Sequence, residues 1–315
     1  MFKGKKLKGV LLGFAATVFW ASFYTVGRCV FGENEDFIDP LFFTFLRFIP
    51  ASVFFIAVMA WRGVLGSAAM ALGKNLWIYF FLALTGIVGE GALVFWSLKY
   101  TTAARSSLFA NMSPIFTVLL AIFALGEKCG PRKTLGVIIG FAGAAAAIFG
   151  RGQSDMYISA AGVFGDLLAL ASGVCWAAYT VWGTGVATRH GGLVSSGLTI
   201  IAGTVLLGVL VLVTGRPMVW VFSWKLWLAV IYLGVFGNAV AYLCWYAALK
   251  YLRAGELGAF GYVSAALSAL LSFLFLKESF SVWFFIALGA VILGVYLIIE
   301  SDPAETKRAE AGPAP

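Results

Sequence analysis

Residues Ser106 to Glu127 read SSLFANMSPIFTVLLAIFALGE, and residues Leu257 to Glu278 read LGAFGYVSAALSALLSFLFLKE. Each is apolar over the roughly 20 residues that a helix needs to cross a bilayer. Each ends in a glutamate, and the first carries a helix breaker, Pro114, close behind Asn111. Similar runs occupy residues 8–28, 41–61, 77–98, 103–125, 134–149, 160–183, 193–214, 226–248, 254–276 and 281–299. The 315-residue chain is 62% apolar and only 11% charged, with a mean hydropathy of +0.96. A soluble domain carries about 25% charge, so this composition does not cover a water-facing surface. A membrane barrel would alternate apolar and polar residues in segments of about ten, whereas these runs are continuous. The expected fold is therefore an all-α polytopic membrane protein with ten transmembrane helices. The basic start MFKGKKLKG suits a secretory signal. The run after it is too long for a signal core and lacks a convincing cleavage site, so it is taken as the first helix.

Cysteines 29, 129, 175 and 244 form no CxxC pair, and His190 is the single histidine, so no metal centre is expected. No GxxxxGK[ST] nucleotide loop occurs, and no cofactor is expected. With the N-terminus placed in the cytoplasm, the inner segments hold 14 Lys and Arg residues and the outer segments 7, with Arg47 inside a span. Cytoplasmic loops are enriched in these residues, which puts both termini inside, as in a bacterial-type inner membrane. The +8 net charge then reflects topology and attraction to anionic lipid. It does not call for a nucleic-acid partner.

Shifting the first half of the chain by 151 residues tests the echo between the two opening stretches. Leu98-Lys99-Tyr100 falls on Leu249-Lys250-Tyr251, Ala103 on Ala254, Phe109 on Phe260, Ser113 on Ser264, Leu119-Leu120 on Leu270-Leu271, and Glu127 on Glu278. There are 10 identities in the 30 ungapped positions 98–127. Gly86 also meets Gly237, and Gly143 meets Gly294. Two halves of five spans each, if of common origin, cross the membrane in opposite senses. Such an inverted repeat is a common build for secondary transporters, with the solute site near mid-membrane between the halves. The expected division is 1–150 and 151–300 for the two repeats, and 301–315 for a disordered cytoplasmic tail.

Several pieces recur in a characteristic order. They are GVLLGFAATVFWASFY in the first run, Arg47-Phe48 in the second, SPIFTVLLAIFALGEK in the fourth, and Gly136, Gly140 and Gly143 in the fifth. GDLLALASGVCWAAYTV opens the second half, and LKES holds its glutamate. Together they resemble the EamA-type members of the drug/metabolite transporter superfamily. The resemblance implies ten helices, a small organic solute, frequent efflux, and a cavity between the halves. It does not name the solute. One position departs from the pattern: the residue matching Pro114 is Ala265.

Residues that a bilayer tolerates poorly are the candidates for transport. Glu90, among Gly86, Gly89 and Gly91, lies inside the third run. A carboxylate costs roughly 2.5–3.5 kcal/mol at a helix centre on insertion scales, so it faces a cavity or a partner. It is either an amine ligand or proton-binding site, or half of an ion pair with Arg47 or Arg105. Asp166 is either a helix-start residue or a second proton-coupling group. Trp20, Tyr24, Trp176, Tyr179, Trp245 and Tyr262, with Asn111, are cavity candidates. Aromatic faces stack on flat solutes and hold cations, although Trp and Tyr also mark membrane interfaces. Ser264, Ser268 and Ser272 share a helix face that either lines the path or allows close packing. Glu256 suits the positive end of the ninth helix. Arg47, Glu127 and Glu278 read as structural charges. Pro114 is either a hinge or a fixed kink.

The expected function is secondary transport of a small metabolite (an amino acid, an amine or a nucleoside-like solute) by export or exchange through alternating access. The expected partners are that solute, the bilayer and protons, while the oligomeric state is not readable. An intramembrane enzyme would need a catalytic set at membrane depth. HExxH, GxSxG and an aspartate pair are all missing. A sensor or assembly subunit is the other reading.

Overall fold

The computed structural model describes residues 2–31, 39–97, 100, 106, 109–149, 160–215, 218, 224–276 and 282–300. Arg105, Glu278, the tail 301–315 and the side chains of Tyr24, Ser268 and Ser272 lie outside the described residues. Among the described residues every regular element is helical.

The first half supplies α1 (Phe2–Phe31), α2 (Pro40–Trp61), α3 (Leu65–Lys74), α4 (Leu76–Ala83), α5 (Glu90–Ser97), α6 (Ser113–Leu125) and α7 (Pro131–Phe149). The second supplies α8 (Ala160–Val213), α9 (Trp224–Tyr232), α10 (Ala241–Ala248), α11 (Ala254–Gly258), α12 (Phe260–Leu276) and α13 (Val282–Ile299). Among the described residues each apolar run is helical over most of its length, and four stretches are by themselves long and apolar enough to span a membrane: Leu41–Trp61, Leu76–Val94, Gly162–Val213 and Trp224–Ala248. The short α3 was not expected. Gly63, at φ 65, ends α2, and α3 then lays Ala68 and Ala71, three apart, against the bundle.

Three features depart from simple spans. A wide π turn, Leu84–Gly89, joins α4 to α5, and another, Leu233–Val240, joins α9 to α10. The 151-residue shift lays the first over the second. Long α8 folds back at Gly191, whose φ of 79° suits glycine alone. Ser195 Oγ bonds back to Val186 O at 2.8 Å, so the two arms run side by side. Finally, the Ser106–Glu127 run is not one helix. It breaks in a turn at Asn111–Met112, and Pro114 sits in the first turn of α6 rather than mid-helix. Any backbone N–H at that position would be an orphan, so a proline, which has none, costs α6 no ladder bond. Gly173 of α8 backs this break so closely that a Cβ on it would lie 2.9 Å from Ala110 O.

Glycines let the remaining helices touch backbone to backbone, the small-residue packing common in membranes. A Cβ on Gly294 would lie 2.5 Å from Gly140 N and 2.7 Å from Gly136 O, which joins α13 to α7. One end of the bundle collects the first turns of α1 and the last turn of α13. Lys6 pairs with Glu256 at 3.1 Å and donates to Ile299 O. Gly9 abuts Tyr251 and Leu252, and Lys250 Nζ reaches the Gly191 turn. The start of α1, the end of α13 and the turns at 126–130, 189–192 and 249–253 thus share that end. Alternating spans require this arrangement.

Candidate functional site

The π turns build the site. An i→i+5 turn displaces carbonyls from the normal ladder and recurs at functional places. Gly237 O accepts a bond from Trp20 Nε1 at 2.9 Å, and Gly86 O accepts one from Tyr242 Oη at 3.2 Å. Each π turn is therefore read by an aromatic side chain from another element. The glycine at 86 also makes room for Tyr179. A Cβ there would lie 2.1 Å from Tyr179 Cδ2.

Around these anchors six aromatic rings from α1, α8 and α10 converge. Trp20 lies edge-on to Trp176 at 5.0 Å and meets Tyr242 at 5.7 Å and Trp245 at 5.0 Å. Trp176 meets Tyr179 at 5.1 Å, Tyr242 at 5.8 Å and Trp245 at 5.6 Å. Tyr179 meets Tyr242 at 5.7 Å and Tyr246 at 5.2 Å. These spacings fall in the range favoured by aromatic pairs. Trp245 is locked by a 3.2 Å bond from Nε1 to Thr180 Oγ1. Tyr179, Tyr242, Trp245 and Tyr246 are buried, while Trp20 and Trp176 keep part of their surface open.

Glu90, the first residue after the π turn, joins this group. It is partly exposed and lies near the Arg47 guanidinium, the Cys175 thiol and the Tyr242 phenol. Among the described residues it makes no hydrogen bond and no ion pair within 4.0 Å. The pairing with Arg47 considered from sequence is therefore not formed. Arg47 instead donates from Nη1 to Asn238 Oδ1 at 2.9 Å, and Asn238 Nδ2 returns a bond to Arg47 O at 3.2 Å. This ties α2 to the second π turn.

Of the sequence candidates, Trp20, Glu90, Trp176, Tyr179 and Trp245 come together. Tyr262 does not. It packs on Gly140 and Phe141 between α7 and α13, with its hydroxyl 3.5 Å from Val137 O. Asp166 is buried nine residues before Cys175 on α8, about 13 Å along the axis. Asn111 lies in the turn before α6. Glu127 forms a buried pair with Lys133 at 3.0 Å, against the Gly255 backbone, at the end of the bundle that carries the termini. Tyr242 and Asn238 were missed as site residues. The signal was there for Tyr242, which stands three and four residues before Trp245 and Tyr246 on one helix face. Among the described residues no three His, Cys, Asp or Glu side chains cluster as metal ligands.

Comparisons with known proteins bear on this geometry. The EamA-like transporter family matches residues 7–149 and again 163–300. An uncharacterized transporter of Archaeoglobus fulgidus is 31% identical over 262 residues, 82% of this chain and 88% of its own. A protein of Ancylobacter novellus named aromatic amino acid exporter YddG is 27% identical over 269 residues, 83% of this chain and 86% of its own. A solved crystal structure superposes with a TM-score of 0.79 at 25% identity, covering 96% of this chain and 98% of the other.

Proposed function

The chain belongs to the EamA-like transporter family of multi-pass membrane proteins, and on that premise we propose that it exports or exchanges an aromatic amino acid or a similar flat, amine-bearing metabolite. The observation that carries the reading is the convergence of Trp20, Trp176, Tyr242 and Trp245 on one another, with the partly exposed Glu90 near Tyr242. An aromatic α-amino acid offers a ring to the indole faces and an ammonium to Glu90. Among the described residues that carboxylate has no ion-pair partner within 4.0 Å, which leaves it to bind the ammonium or a proton. The name of the Ancylobacter novellus relative supports the same solute class.

The solute moves by alternating access between two halves, residues 1–150 and 151–300. The double family match and the paired π turns support this division. Both termini face the cytoplasm of a bacterial-type inner membrane, as the distribution of basic residues favours. Asp166 is retained as a second proton-coupling candidate, and Tyr24 as a neighbour of the site. The break before Pro114 is the pivot between open and closed arrangements of α6.

Reconstituted vesicles test the reading with labelled tryptophan, phenylalanine and adenosine. Saturable flux of the amino acids is expected. Glu90→Gln should lower it about tenfold or more, as losing a charged hydrogen bond of 1.5–3 kcal/mol implies, at an unchanged melting midpoint. No flux of either amino acid from correctly folded protein would favour the sensor or assembly role. Equal flux in Glu90→Gln would remove Glu90 from the site.

A further inference from the structure

Each π turn places a charge as well as an aromatic ring, and the two charges are opposite. The first turn ends at Gly89, and Glu90 follows it. Two contacts fix where this stretch of backbone lies. A Cβ on Gly89 would stand 3.1 Å from Cys175 Sγ, beside Trp176 on α8, and one on Gly91 would stand 3.9 Å from Thr44 Cγ2 on α2. Thr44 and Arg47 are three apart, so they neighbour each other on the surface of α2. Glu90 is therefore set between the α2 face that carries Arg47 and the α8 turn that carries Trp176.

The second turn holds Arg47. Asn238 lies inside that turn and is buried. Arg47 Nη1 donates to Asn238 Oδ1 at 2.9 Å, and Asn238 Nδ2 donates to Arg47 O at 3.2 Å. Gly234 lets α2 come this close, since a Cβ on it would lie 2.6 Å from Arg47 O. Gly237, next to Asn238, receives the indole N–H of Trp20. The guanidinium is thus fastened one residue from the anchor of a site tryptophan. It also lies 5.0 Å over the Phe48 ring, and Phe48 meets Tyr242 edge-on at 6.3 Å. Arg47 borders the aromatic cluster by both routes.

A neutral side chain would serve as a tether between α2 and the second turn. An arginine inside a span is costly, and such residues mark pairs or solute paths. Glu90 and Arg47 lie near each other, yet no ion pair closes between them within 4.0 Å. Opposite charges held near but apart, beside converging indoles, match a solute that carries both charges itself.

We infer that Arg47 is the carboxylate subsite of the transport site and that, with Glu90 on the ammonium, it selects a zwitterionic aromatic α-amino acid over the corresponding amine. The inference rests on the transport reading above and narrows it. The planar fork of a guanidinium matches a carboxylate in two parallel bonds. Asn238 aims that fork, which is a positioning role. The same positive charge repels a solute that carries only an ammonium. A site built to bond a polar group rejects the analogue without that group far more strongly than an apolar pocket rejects a change in size.

The experiment measures binding to the whole protein in detergent by calorimetry, and flux in vesicles, with three probes. Tryptophan carries both charges, tryptamine only the ammonium, and indole-3-propionate only the carboxylate. The wild type is expected to bind tryptophan about tenfold or more tightly than either analogue, as one charged hydrogen bond implies. Arg47→Gln should weaken tryptophan and strengthen tryptamine, so that their affinity ratio falls to about threefold or less. A merely loosened tether would weaken both alike and leave the ratio where it was. Glu90→Gln should shift preference the other way, toward indole-3-propionate. Wild-type binding of tryptamine as tight as that of tryptophan overturns the zwitterion site while the transport reading stands. So does a ratio in Arg47→Gln equal to that of the wild type. If Arg47→Gln does not fold, Arg47→Lys, which keeps the charge and loses the fork, decides in the same way: a lowered ratio supports the subsite and an equal one overturns it. No binding or flux of any probe by the wild type overturns the transport reading, and this inference with it.

Discussion

Substituting Gly86 by alanine tests whether the π turn and the aromatic site are one construction. A Cβ at residue 86 would stand 2.1 Å from Cδ2, 2.4 Å from Cγ and 2.8 Å from Cε2 of Tyr179, where ordinary contact begins at 3.4 Å. The ring or the π turn must therefore give way by about 1.3 Å. The ring has nowhere easy to go: Tyr179 has 0% exposure and is bracketed by Trp176, Tyr242 and Tyr246 at 5.1, 5.7 and 5.2 Å. Overpacking a well-filled interior costs about 1–3 kcal/mol, and this site belongs at the upper end. At about 2–4 °C per kcal/mol, Gly86→Ala should melt roughly 6–12 °C below the wild type in detergent. Moving the turn also strains the bond from Tyr242 Oη to Gly86 O, so aromatic solutes should stabilise the variant less. Gly91→Ala is the control, because its nearest foreign atom, Thr44 Cγ2, is 3.9 Å away. There the methyl fits, and alanine gains up to about 1 kcal/mol of helix propensity. Combining Gly86→Ala with Tyr179→Ala should recover part of the loss, since touching residues couple by about 0.5–3 kcal/mol. The reasoning fails if Gly86→Ala melts within a degree or so of Gly91→Ala, or if removing the ring recovers nothing.

Two further outcomes follow from the same packing. Glu127→Ala leaves the Lys133 ammonium, only 2% exposed along its side chain, buried without its carboxylate. Breaking a buried pair costs about 3–5 kcal/mol, so thermal unfolding should drop sharply, and Glu127→Ala with Lys133→Met should recover much of it. Pro114→Ala should change stability by less than about 1 kcal/mol, because Pro114 occupies the first turn of α6. If the preceding break is the pivot, tryptophan flux in vesicles falls while binding, read by tryptophan-induced thermal stabilisation, stays the same. Unchanged flux would leave the break a fixed kink.

The helical membrane fold was legible in the sequence because its cause is local and redundant. Apolar runs of spanning length allow few other structures, and among the described residues each run is helical over most of its length. Trp20, Glu90, Trp176, Tyr179 and Trp245 were legible for a related reason: a carboxylate or a deep tryptophan has few comfortable places in a bilayer. Tyr262 shows the limit of that argument. Its ring is as aromatic as the others, yet Gly140 opposite leaves a slot for it and it becomes packing. Depth along a helix is readable from sequence, but the direction a residue faces depends on which neighbour is glycine. Pro114 shows a second limit. The run reads as one helix with a flaw, but a helix can stop and restart inside an apolar run without any change in hydropathy, and the turn at Asn111–Met112 does so.

The π turns were the least legible feature, and they carry the most of the site. No residue type demands an i→i+5 turn, so composition and spacing are silent about it. What the sequence did hold was an indirect trace, the match of Gly86 with Gly237 under the shift that aligns the two halves. In the structure these two glycines have the same office and different partners. Gly237 O receives the indole N–H of Trp20, while Gly86 O receives the phenol of Tyr242 and its bare Cα admits Tyr179. Glu90 follows the first turn, and Ala241 stands at the matching place after the second. On the proposed reading of two repeats, the scaffold offers two equivalent openings in the helical ladder, and a carboxylate follows only the first of them. On that reading, Glu90 and Ala241 add a second asymmetry to the one at Pro114 and Ala265.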